Sequence, residues 1–163
     1  PGGFLVTADA YRRLVAEQDL QATIVNLAKP SLVDGYPNFE QSAKEISDLI
    51  LAAPIPADVA QEIQAAYENL KTEDQPVAVR SSANAEDLPG LSFAGQQETF
   101  LNVRGSAYVV EAVRKCWASL WTAQAMSYRH QNGIPQDSVV MAVVVQIMVP
   151  SEVSGILLSL IHI

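Results

Sequence analysis

Apolar side chains recur at helical spacing through the first part of the chain. Segments 8–17, 39–51 and 57–71 each carry apolar residues three or four positions apart, which predicts three amphipathic helices. Two prolines, Pro54 and Pro56, end the second helix, because proline lacks the amide hydrogen that a helix needs. We therefore interpret residues 1–75 as a helical layer.

Beyond this layer the pattern changes to short apolar runs of the kind found in strands. The predicted strands are 77–79, 99–103, 139–149 and 153–157, and the predicted helix between them is 106–131. Asn132-Gly133 is typical of a left-handed helix end. The order strand–loop–strand–helix–strand–strand predicts an α/β (α+β) fold whose core is residues 76–157.

Composition narrows the classes of function. A net charge of −8 over 163 residues argues against a nucleic-acid-binding surface. The longest apolar run is too short to cross a bilayer, so we expect no membrane partner. The single cysteine, Cys116, excludes a disulfide framework and fits a reducing cytoplasm.

The two ends of the sequence suggest a fragment. Pro1 opens the chain without an initiating methionine, and a strand-like run leads directly into residues 158–163. We interpret those last six residues as a non-native tail and leave them out of the fold prediction.

Candidate chemistry is concentrated in the loop after the strand 77–79. Arg80 follows that strand, and its planar guanidinium offers a fork of donors that suits phosphate oxygens. The small residues of segment 92–96 would let backbone N–H groups approach an anion, and Gly95 tolerates the dihedral angles that this requires. These features favour a phosphate-binding loop.

A second reading needs no ligand. An arginine after a strand is commonly solvated or ion-paired, here with Glu86 or Asp87, and a loop rich in glycine and serine is commonly only a loop. The segment does not contain the spacing of a P-loop or of a dinucleotide-binding turn. The residue chemistry alone leaves both readings open.

The run VAVRSSANAEDLPGLSFAGQQETFLNVRG, residues 77–105, resembles the signature of the pyruvate phosphate dikinase N-terminal ATP-binding domain, an ATP-grasp relative. This domain occurs in phosphoenolpyruvate synthase and in rifampicin phosphotransferase. The resemblance continues through shorter segments at 1–7, 116–120, 128–129, 145–149 and 154–156. It therefore implies an incomplete ATP-grasp-like domain.

The resemblance implies roles for particular residues. Arg80 would bind the ATP phosphates, and Gly95 and Thr99 would contact them from the hairpin loop. Gln146 would reach the adenine end, where the backbone of 147–149 would pair with the ring. Without the resemblance, Gln146 is better explained as a polar residue satisfied inside a sheet. Further contacts are expected from the residues Ser92, Ala94, Gln96 and Met148.

The activity that the resemblance implies is phosphoryl transfer from ATP, through a phosphohistidine, to pyruvate. Segment 88–97 resembles the corresponding segment of the branch of the family that contains the synthase and the rifampicin enzyme. An antibiotic-inactivating phosphotransferase is therefore the alternative to the synthase. A non-catalytic nucleotide-sensing module and a ligand-free scaffold also stay open.

The same resemblance implies that several groups needed for the reaction lie outside these 163 residues. The phosphohistidine and the pyruvate-binding or phosphoenolpyruvate-binding domains would be further parts of the same full-length chain, and a homodimer is left open. The Mg²⁺ ligands are expected outside these residues, so we predict no catalytic residue and no metal ligand here. We expect the fragment alone to be inactive.

Overall fold

The computed structural model describes residues 2–70, 74–83, 98–151 and 153. Helices and strands are mixed along the chain, and the predicted α/β class is confirmed. In order they are β1 (Gly3–Val6), α1 (Ala8–Glu17), α2 (Gln21–Leu27), β2 (Ser31–Val33), β3 (Tyr36–Asn38), α3 (Glu40–Ala52), α4 (Ala57–Glu68), β4 (Val77–Ala83), β5 (Thr99–Val103), α5 (Ser106–Ser119), α6 (Ala123–Gln131) and β6 (Met141–Ile147).

The main sheet has four strands in the order β1-β6-β4-β5, and each neighbouring pair is antiparallel. Strands β4 and β6 are paired along their whole length, from Val77 opposite Ile147 to Ala83 opposite Met141. The other edge of β6 holds β1, which comes from the start of the chain. A Cβ atom on Gly3 would lie 2.2 Å from the carbonyl oxygen of Val145, so this close approach requires glycine.

One face of the sheet is covered by helices. Val77 and Val79 of β4 and Val143 and Val145 of β6 are completely buried on this face, which α1 and α5 cover. Burying a valine side chain stabilises a fold by about 1.5–3 kcal/mol. Because side chains alternate along a strand, the residues between these valines lie on the opposite face.

The long helix predicted for 106–131 is two helices. α5 ends at Ser119, and Thr122 begins α6 as its N-cap, with Oγ1 accepting a hydrogen bond from the backbone N–H of Ala125 at 3.2 Å. The left-handed end at Gly133 is confirmed, with φ of 67°. The apolar periodicity continues across the break, which is why the pattern alone did not show it.

Residues 31–38 form a β-hairpin within the part of the chain interpreted from the sequence as a helical layer. Asp34 and Gly35 both have positive φ, 52° and 82°, which gives the two-residue turn that matches the twist of paired strands. The hairpin pairs Ser31 with Asn38 and Val33 with Tyr36. The helix α2 that precedes it was also missed by the sequence analysis.

A buried polar cluster joins α6 to α1. The indole N–H of Trp121 donates to the hydroxyl of Tyr11 at 2.9 Å, and the guanidinium of Arg129 lies 5.2 Å from the Trp121 ring. Arg129 also donates to the carbonyl of Leu120 at 2.8 Å. Burial lowers the pKa of Arg129 to about 10 and raises that of Tyr11 to about 12.

Tyr67 of α4 holds the ends of β4 and β5 together. Its hydroxyl donates to the carbonyl of Gln75, just before β4, at 2.8 Å. The same hydroxyl accepts from the backbone N–H of Gly105, just after β5, at 2.9 Å. One buried side chain therefore fixes where both strands begin their pairing.

Replacing Tyr67 by phenylalanine should lower the free energy of unfolding by about 1–3 kcal/mol, because the change leaves two backbone groups without their partner. Urea denaturation measures this loss. Tyr108→Phe is the matched control: its side chain is 71% exposed, and the expected change is within about 0.5 kcal/mol. Equal stabilities of the two variants would contradict the proposed role of Tyr67.

Candidate functional site

Three of the predicted site residues lie on one side of the sheet. Thr99 is directly opposite Arg80, and Arg80 is directly opposite Val144. Side chains of opposite residues project from the same face. Gln146, two residues after Val144, therefore shares this side, which we call the open face; it is the side that α1 and α5 do not cover.

A row of four residues crosses the open face from one edge of the sheet to the other. It runs Leu5, Val144, Arg80, Thr99, one residue from each strand. The first half of the row is apolar, with Leu5 67% exposed, and the second half offers a guanidinium and a hydroxyl. The row therefore suits a ligand that has an apolar part and an anionic part.

The position of Arg80 differs from the prediction. It does not follow the end of its strand but lies within β4, which continues to Ala83. A side chain in the middle of a paired strand has a fixed direction, whereas one in a loop does not. Arg80 is exposed on the open face and is held there by β5 and β6 on either side.

Arg80 differs from the other arginines because no described carboxylate forms an ion pair with it and no described acceptor is recorded for its guanidinium. The other five arginines donate to protein acceptors, as the pairs Arg12–Asp9, Arg13–Asp58, Arg104–Asp74, Arg114–Glu111 and Arg129–Gln136 show. Among these pairs, the hydrogen bonds from Arg13 hold the pKa of the Asp58 carboxyl below its usual value. No described carboxylate forms an ion pair with Arg80, whose guanidinium carries five N–H donors.

The hydroxyl of Ser81 forms a hydrogen bond within the sheet. Its Oγ donates to the carbonyl of Glu98 at 3.1 Å, and its backbone N–H points to the same oxygen at 3.4 Å. This joins β4 to the residue that leads into β5. Ser82, by alternation along the strand, shares the open face with Arg80.

The backbone after Gln146 is partly occupied. The N–H of Ile147 donates to the carbonyl of Gly2 at 2.9 Å, and that of Met148 donates to Pro76 at 3.0 Å. Val149 is the next residue, is 57% exposed, and its N–H has no acceptor within the described part of the chain. Of the three backbone N–H groups in 147–149, that of Val149 alone lacks an acceptor among the described residues.

The two ends of the predicted site are close together. Gln146 is opposite Ala78, two residues before Arg80 on the neighbouring strand. Diagonal neighbours of this kind have Cα atoms about 7–8 Å apart. A small molecule of ordinary length can therefore contact both residues at once.

Several expectations fall on residues that the structure does not describe. Gly95 and the further contacts Ser92, Ala94 and Gln96 lie outside the described ranges, as do Glu86 and Asp87. Their roles stay predictions.

The described residues contain neither a metal-binding cluster nor a reactive cysteine. Within residues 2–70, 74–83, 98–151 and 153, no three His, Cys, Asp or Glu side chains are grouped closely enough to hold a metal ion. Cys116 is fully buried, and burial raises the pKa of its thiol to about 12, so it is neutral and unreactive. None of the described helices has the length and apolar character to cross a membrane.

Comparison with known proteins decides the family. The model of the family described as pyruvate phosphate dikinase, AMP/ATP-binding domain, matches residues 1–162. The chain belongs to this family. The resemblance read from segment 77–105 is confirmed.

Named relatives of this AMP/ATP-binding domain are of two kinds. Phosphoenolpyruvate synthases of Aeropyrum pernix and Pyrococcus furiosus are 46% and 37% identical over 98% of this chain. Rifampicin phosphotransferase of Streptomyces sviceus is 46% identical over the same share. The chain spans only 18–24% of the length of these relatives.

The apolar half of the open face was not found from the sequence. Leu5 and Val144 belong to strands that are apolar on both faces, so alternation did not show which side chains point to the core. The register of β1 against β6, which brings Leu5 beside Val144, joins positions far apart in the chain. No local signal marks it.

Proposed function

We propose that the open face of this AMP/ATP-binding domain binds ATP, with the phosphates at Arg80 and Thr99 and the adenine toward Gln146. The observation that carries the proposal is the position of Arg80, which has no ion-pair partner among the described residues and lies between two neighbouring strands, directly opposite Thr99. The family description supports the nucleotide as ligand.

The chemistry of the two halves fits the two ends of ATP. A guanidinium binds two phosphate oxygens through parallel hydrogen bonds, and a threonine hydroxyl adds a third donor. The exposed Leu5 and half-buried Val144 lie level with Arg80 and offer apolar contact to the sugar between the phosphates and the ring. The free N–H of Val149 would donate to a ring nitrogen of adenine, and Met148 would contact the ring through its side chain.

The expected reaction of the intact protein is phosphoryl transfer from ATP to a phosphohistidine and then to pyruvate. In such transfers a protein acts mainly by positioning the phosphates and neutralising their charge. Arg80 and Thr99 would do this at the donor end. The phosphohistidine and the acceptor site belong to other parts of the full-length protein in this proposal.

Magnesium is expected at the phosphates, but no described residues fit it. Since no described carboxylates converge on the open face beside Arg80, we assign no Mg²⁺ ligand in this chain and derive no step through the metal.

The Arg80→Ala variant of the intact protein should lose about 3 kcal/mol of transition-state stabilisation, or about 100-fold in kcat/KM for ATP. Arg80→Lys should recover only part of this, because lysine keeps the charge but not the fork of donors. Steady-state ATP consumption measures both variants.

The control for this test is Arg12→Ala, which removes an exposed arginine of α1 that pairs with Asp9 at 2.6 Å. An exposed ion pair of this kind contributes little, so we expect unchanged kinetics. If Arg80→Ala consumed ATP as fast as Arg12→Ala, Arg80 would have no role in binding phosphate.

The phosphate acceptor is tested separately. The phosphoenolpyruvate synthase of Aeropyrum pernix and the rifampicin phosphotransferase of Streptomyces sviceus are each 46% identical to this chain, so both acceptors must be offered. We expect the intact protein to consume ATP when pyruvate is added and to form phosphoenolpyruvate, measured by ³¹P NMR. Consumption only with rifampicin would identify the alternative, and ATP binding without consumption in either case would identify a sensor.

A further inference from the structure

Strand β5 contains one residue more than the stretch of β4 that it pairs with. Val77 is opposite Val103 and Val79 is opposite Phe100, so two steps along β4 correspond to three along β5. Within this interval Asn102 has a φ of 56°, in the left-handed region. Together these features define a β-bulge, which changes the direction of the side chains that follow it.

Both ends of β5 are fixed to neighbouring structure. At one end, Gly105 donates to Tyr67 at 2.9 Å, and Arg104 donates to the carbonyl of Asp74 at 2.9 Å. At the other end, the carbonyl of Glu98 accepts from Ser81 at 3.1 Å. These hydrogen bonds therefore hold the register with its extra residue, and a shift of the strand that removed the bulge would cost them.

The bulge decides which face Thr99 occupies. Phe100 and Val103 both pack against the helix-covered core although they are three residues apart, an odd spacing that a regular strand does not allow. In a regular strand held at Val103, Phe100 would be opposite Arg80 and Thr99 would be opposite Ser81. Thr99 would then point toward α5, away from the guanidinium.

We propose that Asn102 is a positioning residue whose left-handed backbone keeps Thr99 on the open face beside Arg80. This inference rests on the proposed function, because it assigns Asn102 to the phosphate end of the ATP site. Asparagine adopts the left-handed conformation readily among non-glycine residues, and β-branched residues rarely do. Asn102 itself is exposed, and on the pairing of β4 with β5 it lies in the interval between Val77 and Val79 rather than opposite Arg80.

The test compares Asn102→Val with Asn102→Gly in the intact protein, with ATP and adenosine affinities measured by calorimetry. Glycine keeps the bulge, so both affinities should stay within about twofold of the starting protein. Valine disfavours the bulge and turns Thr99 away, so ATP should bind about tenfold or more weakly. Adenosine should bind as before, because it has no phosphates; a general loss of structure would weaken both ligands.

Two further variants serve as controls. Asp34→Val puts valine at a φ of 52° in the β2–β3 turn, and both affinities should be unchanged. Deleting Asn102 gives a regular strand with Val77 still opposite Val103 and Arg80 still opposite Thr99, so the ratio of ATP to adenosine affinity should be retained. This deletion decides the question if Asn102→Val does not fold.

The inference is overturned if Asn102→Val keeps its ATP affinity, or if the deletion loses ATP affinity while adenosine affinity stays. The proposed function fails in a different way: the unsubstituted protein would then bind no ATP. The two failures are therefore distinguishable in one set of titrations.

Discussion

The structure depends on the antiparallel pairing of β4 with the strands on both sides of it. This pairing buries Val77 and Val79 on one face, and by alternation it exposes Arg80 on the other. A free arginine in solution samples many directions, whereas one within a paired strand has its backbone fixed before a ligand arrives. The sheet therefore orients this cation with no further ordering cost to the backbone, as the proposed phosphate site requires.

The helices make this arrangement possible by occupying only one side of the sheet. α5 and α1 cover the valine face, and the cluster of Tyr11, Trp121 and Arg129 joins α1 to α6. Tyr67 adds a direct connection from α4 to the ends of β4 and β5. These helices thus hold the strands of the proposed site in place, although they contribute none of the proposed ligand contacts.

Much of this was predictable from sequence, for identifiable reasons. The amphipathic helices α1, α3 and α4 follow from their apolar spacing, and Arg80 stood out because it follows a clear strand signal before a loop rich in small residues. The family resemblance added Gln146, which residue chemistry alone treats as an ordinary buried amide. These are features that a short window of sequence contains.

The remainder depends on contacts between distant residues. Leu5 lies opposite Val144 because β6, late in the chain, pairs with β1 at its beginning. The bulge at Asn102 is held by hydrogen bonds from β5 and its flanking residues to Tyr67 of α4 and Ser81 of β4. The spacing of Phe100 and Val103 is a local signal of that bulge, but it has meaning only when both are known to face the core.

The most direct measurement is a crystal structure of the intact protein with a non-hydrolysable ATP analogue. We predict that the phosphate oxygens lie within hydrogen-bonding distance of the Arg80 guanidinium and the Thr99 hydroxyl, with the adenine ring on the β6 side next to Gln146. A nucleotide bound elsewhere, with no contact to Arg80, would contradict the account.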